Sequence, residues 1–221
     1  MNQTRAARAS ALRITEIFHS IQGESSLVGW PSVFVRLTGC PLRCGYCDTA
    51  YAFHGGRVHE QDEVLAQVAS YECRHVCVTG GEPLAQAACL PLLSALADAG
   101  HVVSLETSGA LSVAAVDPRV IKVVDVKTPA SGEADRQLWD NLQYLSGQDQ
   151  LKFVVCSRED FEWAAAQIRQ RELTERCEVF VSPSHGQVNA EDLAQWVLDS
   201  RLPVRMQMQM HKQIWGERPG H

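Results

Sequence analysis

The sequence predicts an α/β fold, a mostly parallel sheet with helices on its outside that stays open or closes into a partial barrel. Three observations predict it. Near-continuous runs of Val, Ile, Leu and Phe recur along the chain, as in strands covered on both faces. Segments of helical period separate them, giving the strand–helix–strand alternation of a parallel sheet. Short polar loops containing glycine follow the ends of several runs, where such sheets place their chemistry. No internal repeat or Gly/Ser linker divides the 221 residues. One domain over 1–221 is therefore expected, with 1–11 an extended or disordered leading segment.

Strands are expected at 32–38, 75–79, 101–105, 120–126, 150–155, 178–181 and 204–209. Helices are expected at 60–70, where Val64, Leu65 and Val68 share a face, and at 85–99, with Leu90, Leu93 and Leu96. A third spans 158–170 behind Ser157 and Asp160 in a capping-box pattern, and a fourth spans 189–199 from an Asn189 cap, with Leu193, Trp196 and Val197 on one face. Residues 135–145 also read as helix. The alternation Met206, Met208, Met210 reads as one face of the last strand.

Composition excludes several classes of function. With 26 acidic against 20 basic side chains and a net charge of −6, the chain is poorly suited to blanketing phosphates, so no direct nucleic-acid partner is expected. No apolar run approaches the roughly 18 residues of a membrane span, and no membrane partner is expected. The leading segment is basic but lacks an apolar h-region, which predicts a cytoplasmic chain without a signal peptide. Eight cysteines fall below the roughly 8–10% of a disulfide scaffold, so they read as reduced thiols, and a tight cluster among them as a ligand set.

Such a cluster follows the 32–38 strand. Gly39-Cys40-Pro41-Leu42-Arg43-Cys44-Gly45-Tyr46-Cys47-Asp48-Thr49 places three thiols in one loop as C-x3-C-x2-C, with glycine and proline shaping the turn. Three readings fit: thiols packed in a turn, a zinc site completed by a distant Cys or His, and an iron–sulfur site. A closed zinc site wants four ligands, and the nearest further thiols, Cys73 and Cys77, lie a helix away. A [4Fe-4S] cluster held by three cysteines keeps one iron free for a reacting ligand.

Three more loops sit at strand ends. Thr79-Gly80-Gly81-Glu82-Pro83 carries two glycines that let backbone approach a ligand, and Glu82 is an acceptor for an ammonium. Glu106-Thr107-Ser108-Gly109 and Asp125-Val126-Lys127-Thr128-Pro129 follow the next two strands. Taken singly each is an ordinary solvated turn; in succession they outline one pocket mouth.

The cysteine spacing and the Gly80-Gly81-Glu82-Pro83 loop resemble the radical S-adenosylmethionine (SAM) superfamily. Within it, Glu16-Ile17-Phe18-His19-Ser20-Ile21-Gln22-Gly23-Glu24, Phe34–Cys40, Cys47-Asp48-Thr49 and Gln209-Met210-His211-Lys212 resemble the 7-carboxy-7-deazaguanine synthases of the queuosine and 7-deazapurine pathway. The resemblance runs from about residue 12 onward. Ser25 departs from it, since the family often has Gly there, and nothing is carried over to 213–221.

The resemblance implies a partial (β/α)6-type radical SAM barrel and a lyase that converts 6-carboxy-5,6,7,8-tetrahydropterin to 7-carboxy-7-deazaguanine with loss of ammonia. It implies a [4Fe-4S] cluster on Cys40, Cys44 and Cys47, whose free iron binds SAM. An adenosyl radical then takes hydrogen from the pterin and later returns it, so that SAM is a cofactor. It implies Mg2+ on Thr49, a hard cation that commonly keeps few protein ligands. Ile21, Gln22, Gly23, Glu24, Arg36, Thr79 and His211 are the implied substrate residues, Arg36 for the carboxylate because its planar fork suits bidentate binding. Tyr46, Asp48, Gly80, Gly81, Glu82, Glu106, Ser108, Asp125, Lys127 and Ser182 are the implied SAM contacts. An electron donor such as flavodoxin and a homodimer are the implied partners.

Ordinary structural roles compete at several of these positions: a surface ion pair for Arg36, a tight turn for Gln22–Glu24, a helix cap for Thr49, and a packed or solvated imidazole for His211. Cys73, Cys77, Cys89, Cys156 and Cys177 read as core packing. His54, His59, His75 and His185 lack zinc spacing, and neither a nucleophile elbow nor a Walker loop occurs. A radical SAM activase of a partner protein, and a non-catalytic metal module, share the triad and remain the competing readings.

Overall fold

The computed structural model describes residues 11–216, 218 and 220; most of the expected leading segment, residues 1–10, lies outside them. In the described residues the apolar runs assemble one sheet from β1 (Leu12–Ile21), β2 (Pro31–Leu37), β3 (Arg57–His59), β4 (His75–Gly80), β5 (Val102–Thr107), β6 (Ile121–Val126), β7 (Gln150–Val155), β8 (Glu178–Pro183) and β9 (Arg205–Met206). The spatial order is β3-β1-β2-β4-β5-β6-β7-β8-β9. From β2 to β9 every neighbour pairs parallel, whereas β1 is antiparallel to β2 and β3. The sheet is open and mostly parallel, as expected, with β1 and β3 added at one edge.

Among the described residues there are five α-helices: α1 (Gln61–Ala69), α2 (Cys89–Asp98), α3 (Arg158–Gln170), α4 (Ala190–Ser200) and α5 (Met210–Trp215). Each of the first four is held by an apolar stripe. Val64 and Val68 of α1 and Leu92, Leu93 and Leu96 of α2 pack with Val33, Val35, Val76, Val78 and Leu105 of the sheet. Ala164 and Ile168 of α3 join Leu151, Phe153 and Val179, and Leu193 of α4 joins Val155, Phe161 and Val181. Each large side chain of this kind contributes about 1.5–3 kcal/mol on burial. The caps form as read: Ser157 accepts from Asp160 N at 3.2 Å and Asn189 from Glu191 N at 2.8 Å. Asp160 does not complete a capping box, because its carboxylate instead accepts from Thr128 Oγ1, Ala130 N and Cys156 N and so ties down the loop after β6.

Several expected elements differ. The 85–99 helix begins only at Cys89, after a 3-10 turn over Pro83–Ala85. Gln86 is held extended while its amide pairs with Arg13 N, Arg13 O and Thr38 O. Residues 135–145 form two 3-10 turns, Ala134–Arg136 and Trp139–Tyr144, instead of a helix. There the Asn141 amide clamps Val113 N, Gly109 O and Leu111 O, and that tertiary clamp prevails over helical propensity. The 204–209 strand shrinks to Arg205–Met206, since the Gln207 side chain leaves the sheet to bind both the N–H and the C=O of Ser25. Met208 and Met210 therefore do not share a strand face with Met206. β1 and β3 were not legible as strands: polar Thr15, Glu16, His19 and Ser20 mask the alternation in one, and the other is three residues long.

All eight cysteines are free. Cys77, Cys89 and Cys177 are core residues as expected, whereas Cys73, which packs against the core, and Cys156 are only partly buried.

Candidate active site

The carboxyl ends of the parallel strands open on one cavity of about 560 Å³. Its rim is the loop after β2, with Cys40, Cys44 and Cys47 all lining it and all partly exposed. Gly39 starts that loop in the left-handed region (φ 98°) and closes it by donating from its N–H to Ala52 O at 2.8 Å. Gly45 N donates to Ser131 O, Arg43 N donates to Glu133 Oε1, and buried Leu42 anchors the loop between them. Burial pushes the Cys40 thiol up, and it pushes Cys44 up to about 11 against the pull of Lys127. Among the described residues no three His, Cys, Asp or Glu side chains converge closely enough to hold a single metal ion.

The Gly80-Gly81 backbone lies directly against this loop. Glu82 N donates to Gly39 O at 2.8 Å, and a Cβ on Gly81 would collide with Gly39 O and with Cβ of Cys40. Glu82 itself is fully buried and outside the cavity lining. Its carboxylate accepts from Leu84 N, Thr107 Oγ1, Ser108 N and Ser108 Oγ, so the acceptor expected for an ammonium is engaged in riveting this loop to the end of β5. Ser182 is also buried, beside Val154 in the β7–β8 pair, and does not line the cavity.

The floor is a charged network on the strands. Glu24 receives Lys152 Nζ at 2.5 Å and Gln209 Nε2 at 2.6 Å. Lys152 also faces Asp125 at 3.6 Å, and Asp125 receives Lys127 at 2.9 Å while its other oxygen, Oδ1, is buried without a partner. Burial alone would raise the Glu24 carboxyl, but Lys152, His211 and Gln209 outweigh it and hold it below its ordinary value. Burial disfavours charge on Lys152 as well, yet Glu24, Asp125 and Glu106 keep its ammonium protonated far into alkaline pH. Glu106 lies on β5, not in a loop, and accepts from Gln22 Nε2 at 3.3 Å and Thr79 Oγ1 at 2.9 Å. Ser108, Tyr46 and Lys127 complete this wall, and burial followed by Asp125 raises the Tyr46 phenol.

At the mouth, Asp48 pairs with Lys212 Nζ at 2.7 Å and receives Thr49 Oγ1 at 2.8 Å. Partial burial raises the Asp48 carboxyl and Lys212 outweighs that, bringing it to about 2. Ile21 and Gly23 line the opposite side; Gly23 has no room for a Cβ because the His211 ring rests on it, and Met210 N donates to Gly23 O at 3.0 Å. Ser25 takes a left-handed φ of 67°, the conformation that favours the glycine expected there, and the Gln207 amide holds it from both sides.

Arg36 enters from β2. Its Nε donates to Glu16 Oε1 at 2.7 Å, and its guanidinium lies 5.7 Å from the Phe18 ring centre and 5.9 Å from that of Tyr51. Residues given no site role in the sequence also line the cavity: Lys152, Tyr51, Arg218 from the tail, and Gln209 and Lys212, which figure in the sequence only as part of the block around His211. Lys152 carried a further signal, as a charged residue inside the wholly buried β7.

The chain is 45% identical over 207 residues to the 7-carboxy-7-deazaguanine synthase of Chlorobaculum tepidum, covering 92% of this chain and 94% of that one. It is 43% identical over 219 residues to the synthase of the same name from Koribacter versatilis, covering 92% and 97%. The chain belongs to the 7-carboxy-7-deazaguanine synthase family. Residues 34–124, from β2 to β6, match the Radical SAM superfamily. The fold of this synthase-family chain is that of the crystal structure of QueE from Escherichia coli, with a TM-score of 0.75 at 24% identity over 91% of this chain and 95% of that one. Streptococcus suis SuiB bound to S-adenosylmethionine aligns at a TM-score of 0.54 and 14% identity, covering 77% of this chain and 48% of that one.

Radical SAM membership implies a [4Fe-4S] cluster and SAM, and the residues fit both. Three free thiols stand at one rim with no single-ion convergence. Beside them the Gly81 backbone is bare, and an unpartnered Asp125 oxygen is buried at the cavity wall.

Proposed function

We propose that the chain, as one domain, is a radical SAM lyase that converts 6-carboxy-5,6,7,8-tetrahydropterin to 7-carboxy-7-deazaguanine with loss of ammonia. The observation that carries this is that the Cys40–Cys44–Cys47 rim and the Gln22–Glu24, Arg36 and Thr79 wall face one cavity. When bound, the cluster and SAM supply one-electron cleavage that generates a hydrogen-abstracting radical.

The chain's own residues bind and orient. Arg36 takes the pterin carboxylate with its two terminal nitrogens, because Nε is committed to Glu16. Glu24, kept ionised by Lys152, accepts from the guanidine-like edge of the pterin, and Gln22, Thr79 and the Ile21–Gly23 backbone border the ring. The Gly80-Gly81 backbone, Glu106, Ser108, Asp125 and Lys127 serve SAM, with Tyr46 against its adenine. Thr49 would offer a lone pair of its hydroxyl oxygen to Mg2+ while its hydrogen stays on Asp48. His211, seated on Gly23, limits water at the mouth. The partly exposed cysteine loop leaves a flavodoxin-class reductant an approach. A homodimer rests on the family resemblance, and a cytoplasmic location is carried over as the expectation from the sequence; no helix of the described residues is long and apolar enough to cross a membrane.

The test is anaerobic incubation of cluster-reconstituted protein with SAM, reductant, Mg2+ and the carboxytetrahydropterin. Carboxydeazaguanine should form with SAM regenerated. Cleavage of SAM indifferent to the pterin would overturn the reading.

A further inference from the structure

Glu16 opens the sequence block that sets this family apart, yet it lies outside the cavity that the block borders. It stands behind Arg36. The two residues face each other in the β1–β2 pair, immediately after a register irregularity between Ile14 and Glu16, and such bulges re-aim a side chain. A single oxygen, Glu16 Oε1, receives both Arg36 Nε and Tyr51 Oη, each at 2.7 Å. Tyr51 belongs to the 3-10 turn Ala50–Phe53 that directly follows the cysteine loop. The guanidinium is thus gripped at Nε by Glu16 and flanked by the rings of Phe18 and Tyr51. This grip uses the nitrogen that carboxylate recognition does not need and leaves the terminal fork for it.

We propose that Glu16 is a positioning residue that, with Tyr51, presents the Arg36 fork to the carboxylate of the substrate and thereby sets selectivity for a carboxylated pterin. This rests on the reading of Arg36 given above. Other carboxylates of the site, Glu24, Asp48 and Asp125, each pair with a lysine that faces the cavity. Glu16 instead acts on an arginine from behind, so its loss should change where the fork points without removing any group from the cavity.

Two oxidised, fluorescent ligands test it on cluster-reconstituted protein with SAM: 6-carboxypterin, and pterin lacking the carboxylate. The wild type should favour 6-carboxypterin. Glu16→Ala should reduce that preference roughly tenfold and raise KM for the substrate with kcat held within about twofold. Glu16→Gln, which keeps an acceptor for Nε, should lose only about threefold, as should Tyr51→Phe, which keeps the ring and drops the hydroxyl. Arg36→Ala combined with Glu16→Ala should discriminate no worse than Arg36→Ala alone. Equal weakening of both ligands by Glu16→Ala, unchanged preference in it, or additivity with Arg36→Ala would each overturn the role of Glu16. A wild type without preference would instead sink the reading of Arg36, and this inference with it.

Discussion

Lys152 on β7 meets Glu24, 128 residues earlier in the chain, with Nζ 2.5 Å from Oε2. Both side chains are about nine-tenths buried, so each is the other's principal counter-charge inside the protein. A pair of this kind is costly to half-remove.

Lys152→Met should therefore destabilise the protein by about 3–5 kcal/mol in urea unfolding, because Glu24 is left buried with Gln209 as its remaining side-chain donor. Adding Glu24→Gln should restore a large part of that loss. A Lys152→Met protein as stable as wild type would show that Glu24 reaches solvent.

The same pair predicts a pH dependence of fixed sign. The folded Glu24 carboxyl lies below its ordinary value of 4.5, so the unfolded chain takes up its proton first as pH falls. Its contribution is complete above about pH 4.5 and disappears as pH drops through the folded value. The stability gap between wild type and Glu24→Gln should be flat from neutral pH down to about 5 and shrink below that. A gap that widens on acidification would reverse the sign and refute the pairing.

Gly81→Ala should separate the two loops that meet at Gly39. Its methyl has no space against Gly39 O and Cβ of Cys40, so the cysteine loop must move. We expect a loss of about 1–3 kcal/mol, typical of overpacking, with iron and sulfide incorporation falling well below wild type. Normal cluster content in Gly81→Ala would mean that the loop yields freely.

Cysteine variants should divide by location. Cys44→Ala should abolish cluster binding and turnover, whereas Cys77→Ala should load iron normally and lose roughly 1 kcal/mol from a small core cavity. Thr49→Ala should keep the cluster but shift the Mg2+ requirement upward; an unchanged Mg2+ titration would remove Thr49 from the metal.

What was legible in the sequence was what is local. The cysteine loop and the Gly80-Gly81 turn each carry their chemistry within a few residues, and the parallel strands announce themselves as apolar runs. What was not legible depends on partners distant in the chain. Gln209 and Lys212 stand in a family block of the sequence, but their contacts arise only because the segment after β9 folds back over Gly23 and Asp48. Glu82 looked like a ligand because its use by Thr107 and Ser108 is tertiary. Asn141 overrode a helical pattern for the same reason, through contacts with a loop some thirty residues away. β1 hid because its polar residues serve the site and its neighbours, which erases the hydrophobic alternation by which strands are recognised.

That fold-back has a bearing on biosynthesis. The three thiols leave the ribosome well ahead of the lysine and imidazole that stand at the mouth of their cavity. Until α5 has emerged, the nascent chain holds its thiol loop beside an unfinished pocket. Iron and sulfide loaded before that point would enter by a wider doorway. A polypeptide released short of α5 would keep the three thiols and lack the lysine and imidazole at the mouth of their cavity.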